Sequence, residues 1–236
     1  MCGVPSGFFL CPNDYRYDID STKSALSAHI SSSSQSISWK LEVVTHCNPK
    51  YGDDDLAPAA APAAEVIFGA GEVNDWRELA GRHFSLNYRK HLHNRRDEND
   101  EVSNLYLGYH ILPIFHEISF GKRDGRYFAV KWHFEGSEDP ELFFEGNDEP
   151  VLSLESYKVE GVIPFQRLSV SFPHEPEALK RKFGEFTPQE FQNAADAWEP
   201  DLAYARRLIA NHFDPNDFGT PEKWMWSLSY PVIAND

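Results

Sequence analysis

The first residue of the chain that could do chemistry is the cysteine next to the initiator methionine. Removal of Met1 would leave Cys2 as an N-terminal nucleophile, because its own α-amine can act as the base. No motif for binding a substrate or for stabilising an oxyanion accompanies this cysteine in the sequence. We therefore predict that Cys2 is dispensable, and an enzyme that uses it stands as the alternative to a binding function.

The opening Met1-Cys2-Gly3 resembles the start of class II glutamine amidotransferases and of the SRAP proteins that react with abasic DNA. The resemblance covers three residues, and it implies a catalytic role for Cys2 alone. The Arg, Asn, Glu and His motifs that these families place around the cysteine are absent downstream, so no other residue takes a role from the resemblance.

A second candidate for chemistry is a pair of histidines, His91 and His93, followed by Glu98. The group resembles the metal motif of cupins, in which His-X-His on a strand places both imidazoles on one face. The pair lies within the basic stretch 89–96, and cations at this density oppose a further cation. The cupin glycine and the second cupin motif are also missing. A His-rich metal pocket is therefore kept as an alternative, and no cofactor is predicted.

The clearest signal for structure is the run from Phe115 to Phe134, which predicts a β-hairpin. Apolar residues alternate on both arms, so one face of the hairpin is expected to be buried. A three-residue loop, Arg123-Asp124-Gly125, ends in glycine, as a type I turn with a G1 bulge requires. The register that follows opposes Phe120 to Phe128, Ile118 to Val130, Ile114 to Phe134 and His116 to Trp132.

Three further histidines, His110, His116 and His133, lie on predicted strands. His116 points with the apolar face of the hairpin, where a lone histidine is expected to be a hydrogen-bonded core residue. His133 is expected on the other face. No acid–base partnership among these residues follows from sequence, because sequence supplies no distances.

The predicted fold is a single α+β domain, 1–236, with a largely antiparallel β-sheet and a helical C-terminal layer. The loops between strands are too brief for crossover helices, which favours antiparallel pairing. Thr187 to Glu190 form a capping box that begins a helix, Pro200 is expected to interrupt it, and a second helix is expected over Asp201–Phe213. The other parts are an irregular N-terminal segment at 1–36, an Asp/Ala/Pro-rich loop at 52–64 and a helical segment at 173–213. Strands are expected at Ile37–Val43, Val66–Phe68, His83–Leu86, Leu105–Ile111, Leu142–Glu145, Val151–Glu155, Lys158–Ile163, Leu168–Phe172 and Trp224–Tyr230.

The net charge of −15 excludes several classes of partner. A binder of duplex nucleic acid needs cations that displace counterions from the phosphates, and an anionic membrane also attracts basic segments. We therefore predict contact with neither nucleic acid nor membrane. The N-terminus lacks the basic region of an export signal, and three cysteines cannot all pair, so a cytoplasmic location is expected.

The strongest single-sign feature is the acidic segment from Glu135 to Glu160, in which Lys158 is the one basic residue. Acidic loops beside a rigid sheet can steer a basic protein and speed its encounter. We therefore predict a non-catalytic acidic cytosolic binding protein, with an immunity-type inhibitor of a basic protein toxin as its most specific form. The oligomeric state stays open. The residues expected to contact the partner are Glu138, Asp139, Glu141, Phe143, Glu145, Asp148 and Glu149.

Overall fold

The computed structural model describes residues 7–31, 36–48, 50, 61–69, 73, 75–88, 103–107, 110–137, 154–171, 199–224 and 227–233. Within these ranges the chain forms twelve strands and one α-helix, and the strand pairs are antiparallel, as predicted. The strands are β1 (Phe8–Leu10), β2 (Arg16–Asp18), β3 (Ala25–Ser31), β4 (Ile37–Val44), β5 (Ala63–Gly69), β6 (His83–Asn87), β7 (Ser103–Tyr106), β8 (His110–Asp124), β9 (Tyr127–Ser137), β10 (Glu155–Ser171), β11 (Glu222–Trp224) and β12 (Ser227–Pro231). The α-helix is α1 (Glu199–His212), and 3-10 turns lie at Pro12–Asp14, Trp76–Leu79 and Pro215–Asp217.

The fold is mostly β, so the prediction of an α+β domain with a helical C-terminal layer is wrong. Among the described residues α1 is the single α-helix, and its 14 residues do not make a layer. At about 1.5 Å per residue it is only about 21 Å long. After α1 the chain adds a further strand to the sheet, since β12 is paired with β10. The part of the expected helical segment from 173 to 198, including the helix from Thr187, lies outside the described residues.

Pro200 lies inside the helix that was expected to begin just after it. The helix expected before it lies outside the described residues, so an interruption at Pro200 stays a prediction. Helix α1 begins at Glu199, so Pro200 lies in its first turn. A proline there loses no hydrogen bond, because the first amides of a helix have no partner within it, and its fixed φ suits the helix. The second predicted helix is thus found with nearly the expected bounds.

The N-terminal part of the chain, for which no regular element was predicted, contributes β1, β2 and β3. These strands are short or lack a clean alternation of apolar and polar residues. Elsewhere β4 and β6 lie close to their expected bounds, and β5 contains the expected Val66–Phe68. The range expected at 105–111 overlaps both β7 and β8, and the range 224–230 overlaps both β11 and β12. The strand expected at Leu142–Glu145 and most of the one expected at Val151–Glu155 lie outside the described residues. The two strands expected at 158–163 and 168–172 are one continuous strand, β10.

The chain divides into two compact units, and the prediction of a single domain stays a prediction. The first consists of Met1–Leu26, Lys40–Phe68 and Leu79–Pro164, and the second of Ser27–Trp39, Gly69–Glu78 and Phe165–Asp236. In the first unit β1 pairs with β2 and β10, while β10, β9, β8 and β6 are consecutive neighbours. In the second unit β12 pairs with β11 and with the last residues of β10.

The β8–β9 hairpin buries the predicted face, but its register and its loop differ from the prediction. Phe120 opposes Val130, Ile118 opposes Trp132 and His116 opposes Phe134, a shift of two residues from the expected pairs. The loop has two residues, Gly125 and Arg126, because Asp124 pairs with Tyr127. Gly125 has φ 53°, the left-handed region that glycine occupies without a steric penalty.

A β-bulge explains how this two-residue loop still buries the apolar face. Counting back from the Asp124–Tyr127 pair without a bulge would oppose Phe120 to Lys131. The register shifts by one residue between Phe120 and Arg123, and this restores the apolar pairing. The alternation of apolar and polar residues decides which face of the hairpin is buried. The bulge allows a two-residue loop to join the strands while the apolar residues of both strands stay on that face.

The inner face of the β8–β9–β10 sheet, defined as the side that carries Trp132, is aromatic. Trp132 and Phe134 have ring centroids 4.6 Å apart, and Phe134 stacks on Tyr157 of β10 at 5.2 Å and 13°. Phe9 of β1 lies 6.1 Å from Phe134. All four rings are buried, so they form the core of the first unit.

Candidate functional site

The outer face of the same sheet, opposite the aromatic core, carries polar side chains that hydrogen bond from strand to strand. Successive side chains on a strand alternate between the two faces, so each strand supplies polar groups here and aromatic groups inside. His133 of β9 lies 2.8 Å from the Ser156 hydroxyl of β10. The members of this face include His83, Ser85, Glu117, Ser119, Lys131, His133, Ser156, Lys158 and Glu160.

Three of these residues form a continuous chain of serine, histidine and carboxylate. The Ser119 Oγ lies 2.9 Å from Nδ1 of His83, and Nε2 of the same ring lies 2.7 Å from Oε2 of Glu117. The Ser85 hydroxyl donates to the other carboxylate oxygen of Glu117 at 2.6 Å. His83 and Glu117 are about half exposed, at 57% and 48%, so water reaches the group.

The pairing of β6 with β8 brings this chain together. In the register His83 is opposite Ser119, and Ser85 is opposite Glu117, so His83 reaches one partner directly and the other diagonally. The start of β6 is held by backbone hydrogen bonds. The amide of Gly81 donates to the Phe120 carbonyl at 2.8 Å, and the amide of Phe120 donates to the Arg82 carbonyl at 2.8 Å.

A cleft of about 470 Å³ opens beside Ser119 on the outer face. Its volume lies within the range of roughly 300–1,000 Å³ that small-molecule sites occupy. Apolar atoms form most of its surface, and Arg16, Lys131 and Glu160 supply charged groups. It is lined by Phe8, Arg16, Ser119, Phe120, Gly121, Ala129, Val130, Lys131, Glu160, Gly161 and Val162.

Small residues leave this space open and let the backbones approach. A Cβ atom on Gly121 would lie 3.2 Å from the Cβ of Ala129, which is closer than most Cβ contacts in proteins, so even an alanine at position 121 would crowd β9. A Cβ on Gly161 would lie 2.9 Å from Cδ1 of Ile19 and 3.0 Å from the Cα of Gly7. Larger residues at these positions would fill the cleft or push β1 away from β10.

His116 lies on the inner face, as predicted, and its surroundings suit a structural role. It is 1% exposed, and the Nε1 of Trp132 donates to its Nδ1 at 3.1 Å. Burial lowers the pKa of His116 to about 3, although a hydrogen bond to the backbone of Pro113 acts in the opposite direction and raises it. The ring is therefore neutral at physiological pH and serves as a hydrogen-bonded core residue.

The second unit holds a partly buried ionic cluster with a structural role. Arg77 donates to both carboxylate oxygens of Asp217, which is 6% exposed, and to the Asp75 carboxylate at 2.9 Å. Trp76 also contacts Asp217 through its Nε1 at 3.4 Å and stacks on Phe165 at 5.0 Å. These contacts join the turns Trp76–Leu79 and Pro215–Asp217, and the carboxylate is occupied by its neighbours.

Most of the site residues predicted from sequence lie outside the described residues. They are Cys2, His91, His93, Glu98, the side chain of His110, and the partner-binding set Glu138, Asp139, Glu141, Phe143, Glu145, Asp148 and Glu149. From the acidic segment the structure describes Glu135, Glu155 and Glu160. Glu155 accepts a hydrogen bond from the Tyr157 hydroxyl at 2.6 Å, and Glu160 lies 3.5 Å from the Lys131 ammonium.

The chain of Ser119, His83 and Glu117 was not found from sequence. Alternation placed these residues on the polar face of their strands, but their proximity depends on which strand pairs with β8 and in which register. The described ranges contain no group of three His, Cys, Asp or Glu residues that could hold a metal ion.

Comparison of the chain with protein-family models, with curated proteins and with solved structures found no match. Among the described residues, no helix has both the length and the apolar character needed to cross a membrane. Geometry and charge are therefore the features from which a function can be inferred.

Proposed function

We propose that the protein is a cytoplasmic acidic binding protein that captures a basic protein partner. An inhibitor of the immunity type, which neutralises a basic protein toxin, is the most specific form of the proposal. The net charge of −15 is the observation that carries it. Capture of a cationic protein by complementary charge needs no catalytic group, because attraction between the two surfaces speeds encounter and selects the partner.

The acidity is concentrated in particular segments, which favours a role in recognition. The described residues are nearly balanced in acidic and basic side chains. Most of the net charge therefore belongs to segments outside them, among which 138–153 carries acidic residues and no basic one. Concentrated charge produces a stronger local field than the same charge spread over the surface.

Residues 138–153, the middle part of the acidic segment, connect two strands that are neighbours in the sheet. Strand β9 ends at Ser137 and β10 begins at Glu155, and Gly136 is directly opposite Glu155. Both ends of the segment are thus held by one antiparallel pair. Binding residues are commonly carried on connections that a rigid scaffold positions, and this attachment supports the proposal.

The base of that connection is well packed. Phe134 and Tyr157 are opposite each other and stack at 5.2 Å, and both are completely buried. The Tyr157 hydroxyl donates to Glu155 at 2.6 Å, so the first residue of β10 is tied to the stack. A buried aromatic pair of this kind lowers the entropy that the flanking backbone loses when a partner binds.

The cytoplasmic location is part of the proposal. Cys11 is buried and Cys47 is exposed, and both thiols are free. Burial raises the pKa of Cys11 to about 12, so this thiol is unreactive, but an exposed thiol such as Cys47 oxidises readily in an oxidising compartment. A reducing compartment suits this arrangement.

Charge reversal tests the proposal, with a control of equal charge. In one variant Glu138, Asp139 and Glu141 become lysine, and in the other Asp53, Asp54 and Asp55 become lysine. Both change the net charge by the same amount. A polyarginine peptide serves as the first probe, and the basic protein identified by capture from the native host serves as the second. Association rates are measured by stopped flow at several ionic strengths.

We expect the first variant to bind both probes more slowly and with a weaker dependence on salt, since steering acts on the association rate. The control variant is expected to bind the protein probe like the unaltered chain. Equal losses in the two variants would mean that only bulk charge matters and that 138–153 is no site. Unchanged binding in both variants would mean that the acidic residues serve only solubility, and it would reject the proposal.

A further inference from the structure

The chain of Ser119, His83 and Glu117 has the order of groups that activates a serine nucleophile. The carboxylate of Glu117, when ionised, can only accept hydrogen bonds, so the neutral ring of His83 carries its proton on Nε2. Nδ1 is then an acceptor, and the Ser119 hydroxyl at 2.9 Å donates to it. The imidazole is thereby held in the tautomer that can take the serine proton.

The carboxylate itself is held in place. The Ser85 hydroxyl occupies one oxygen of Glu117 at 2.6 Å and leaves the other for His83 at 2.7 Å. These side chains stand on two paired strands, whose backbone hydrogen bonds fix their spacing. Groups on strands are positioned more accurately than groups on loops, which favours a reactive geometry.

The serine is also accessible to a small molecule. Ser119 lines the cleft of about 470 Å³, whose walls include Phe8, Ala129 and Val162. Lys131 lines it as well and is directly opposite Ser119 in the β8–β9 register. An apolar acyl group fits such walls, and an ammonium beside the nucleophile can stabilise a negatively charged oxygen.

We propose that Ser119 is the nucleophile of a site that hydrolyses carboxylic esters with a short apolar acyl group. Its Oγ attacks the ester carbonyl while His83 takes the hydroxyl proton, and the carbonyl electrons move onto oxygen near Lys131. The carbon–oxygen bond to the leaving alcohol then breaks, and His83 returns the proton to the alkoxide. Water, deprotonated by His83, then attacks the acyl carbon, the carbon–Oγ bond breaks, His83 returns the proton to Oγ of Ser119, and the carboxylic acid leaves. Glu117 is a positioning residue. The activity goes beyond the proposed binding function and does not depend on it.

Two probes test the site in the unaltered chain and in its variants. Hydrolysis of 4-nitrophenyl butyrate measures turnover, and diisopropyl fluorophosphate marks an activated serine. In the labelling step the Oγ–phosphorus bond forms, the phosphorus–fluorine bond breaks and fluoride leaves. Mass spectrometry of peptides then locates the label, so this measurement needs no substitution.

We expect the label on Ser119, and we expect Ser119→Ala and His83→Ala each to lower kcat/KM by about 100-fold, the low end of what a general base contributes. Ser156→Ala is the matched control. Ser156 also lies 2.8 Å from a histidine on the outer face, His133, but does not line the cleft. Its removal is expected to leave hydrolysis and labelling unchanged.

Glu117→Gln separates positioning from a structural role. We expect a lower kcat with an unchanged KM and an altered pH–rate profile, because the glutamine amide no longer selects the reactive tautomer. Glu117→Asp is expected to restore part of the loss. Absence of label on Ser119, or equal hydrolysis by the Ser119→Ala and Ser156→Ala variants, would overturn the proposal and leave these residues as ordinary cross-strand pairs.

Discussion

The two faces of the sheet formed by β6, β8, β9 and β10 place histidines in opposite surroundings. On the inner face His116 is 1% exposed, stacks on Trp132 at 5.8 Å and on Phe134 at 5.9 Å, and accepts a hydrogen bond from the indole of Trp132. On the outer face His133 hydrogen bonds to a serine, and His83 bridges a serine and a carboxylate where water has access.

The difference teaches that burial, more than residue type, decides what a histidine can do here. A charged imidazolium on the inner face would lose its hydration among aromatic rings, and that cost keeps His116 neutral. A histidine on the outer face can exchange protons with water and with a neighbouring hydroxyl. The inner face therefore contributes stability, and the outer face is where reactivity is expected.

Among substitutions on the two faces, removal of the inner-face indole is expected to lower the free energy of unfolding the most. Trp132→Ala is expected to cost about 3–5 kcal/mol of the free energy of unfolding, because a buried large aromatic leaves a cavity. It also removes the donor to His116. Urea unfolding followed by circular dichroism measures the loss. A cost below about 1 kcal/mol would mean that the inner face is not the core that its burial indicates.

The pKa of His116 predicts how stability depends on pH. The folded pKa of about 3 lies below the ordinary value of 6.5, so the unfolded chain binds the proton more readily. This stabilisation is complete above pH 6.5 and is lost progressively as the pH falls toward 3. One such group removes about 2 kcal/mol between pH 7 and pH 5.

The measurement is urea unfolding between pH 7 and pH 5 for the unaltered chain and for His116→Gln, and the difference in slope isolates this residue. Asp20 has its pKa lowered to about 2 by the hydroxyl of Thr22, so its contribution is lost at a lower pH. Equal slopes in the two proteins would show that folding does not lower the pKa of His116.

On the outer face the ion pair of Lys131 with Glu160 is expected to contribute under about 1 kcal/mol, since both groups are exposed and screened by salt. A double-mutant cycle with Lys131→Ala and Glu160→Ala measures the coupling energy. We expect it to vanish at high ionic strength. A coupling that persists in salt would mean that this part of the outer face is shielded from solvent.

The smallest effect is expected for the outer-face histidine of β9. His133→Ala is expected to change the free energy of unfolding by less than about 0.5 kcal/mol, because its hydrogen bond to Ser156 competes with water. Thermal and urea unfolding check this value. A cost comparable to that of Trp132→Ala would erase the distinction between the two faces.

The sequence by itself determined which residues of the hairpin face the core. Alternation of apolar and polar residues is a local property, and it placed His116 inside and His133 outside without any knowledge of the partner strands. It also located β4 and β6 and the body of α1, since each carries a clear periodicity.

Only the tertiary structure decided the register, the balance of strand and helix, and the candidate site. A shift of two residues keeps every side chain on the same face, so alternation cannot distinguish the expected pairing from the observed one. The bulge and the two-residue loop that select it depend on how both arms pack. Likewise His83 and Ser119 are 36 residues apart in the chain, and only the pairing of β6 with β8 brings them within 2.9 Å. Contacts between distant strands are chosen by the packing of the whole core, which no local pattern encodes.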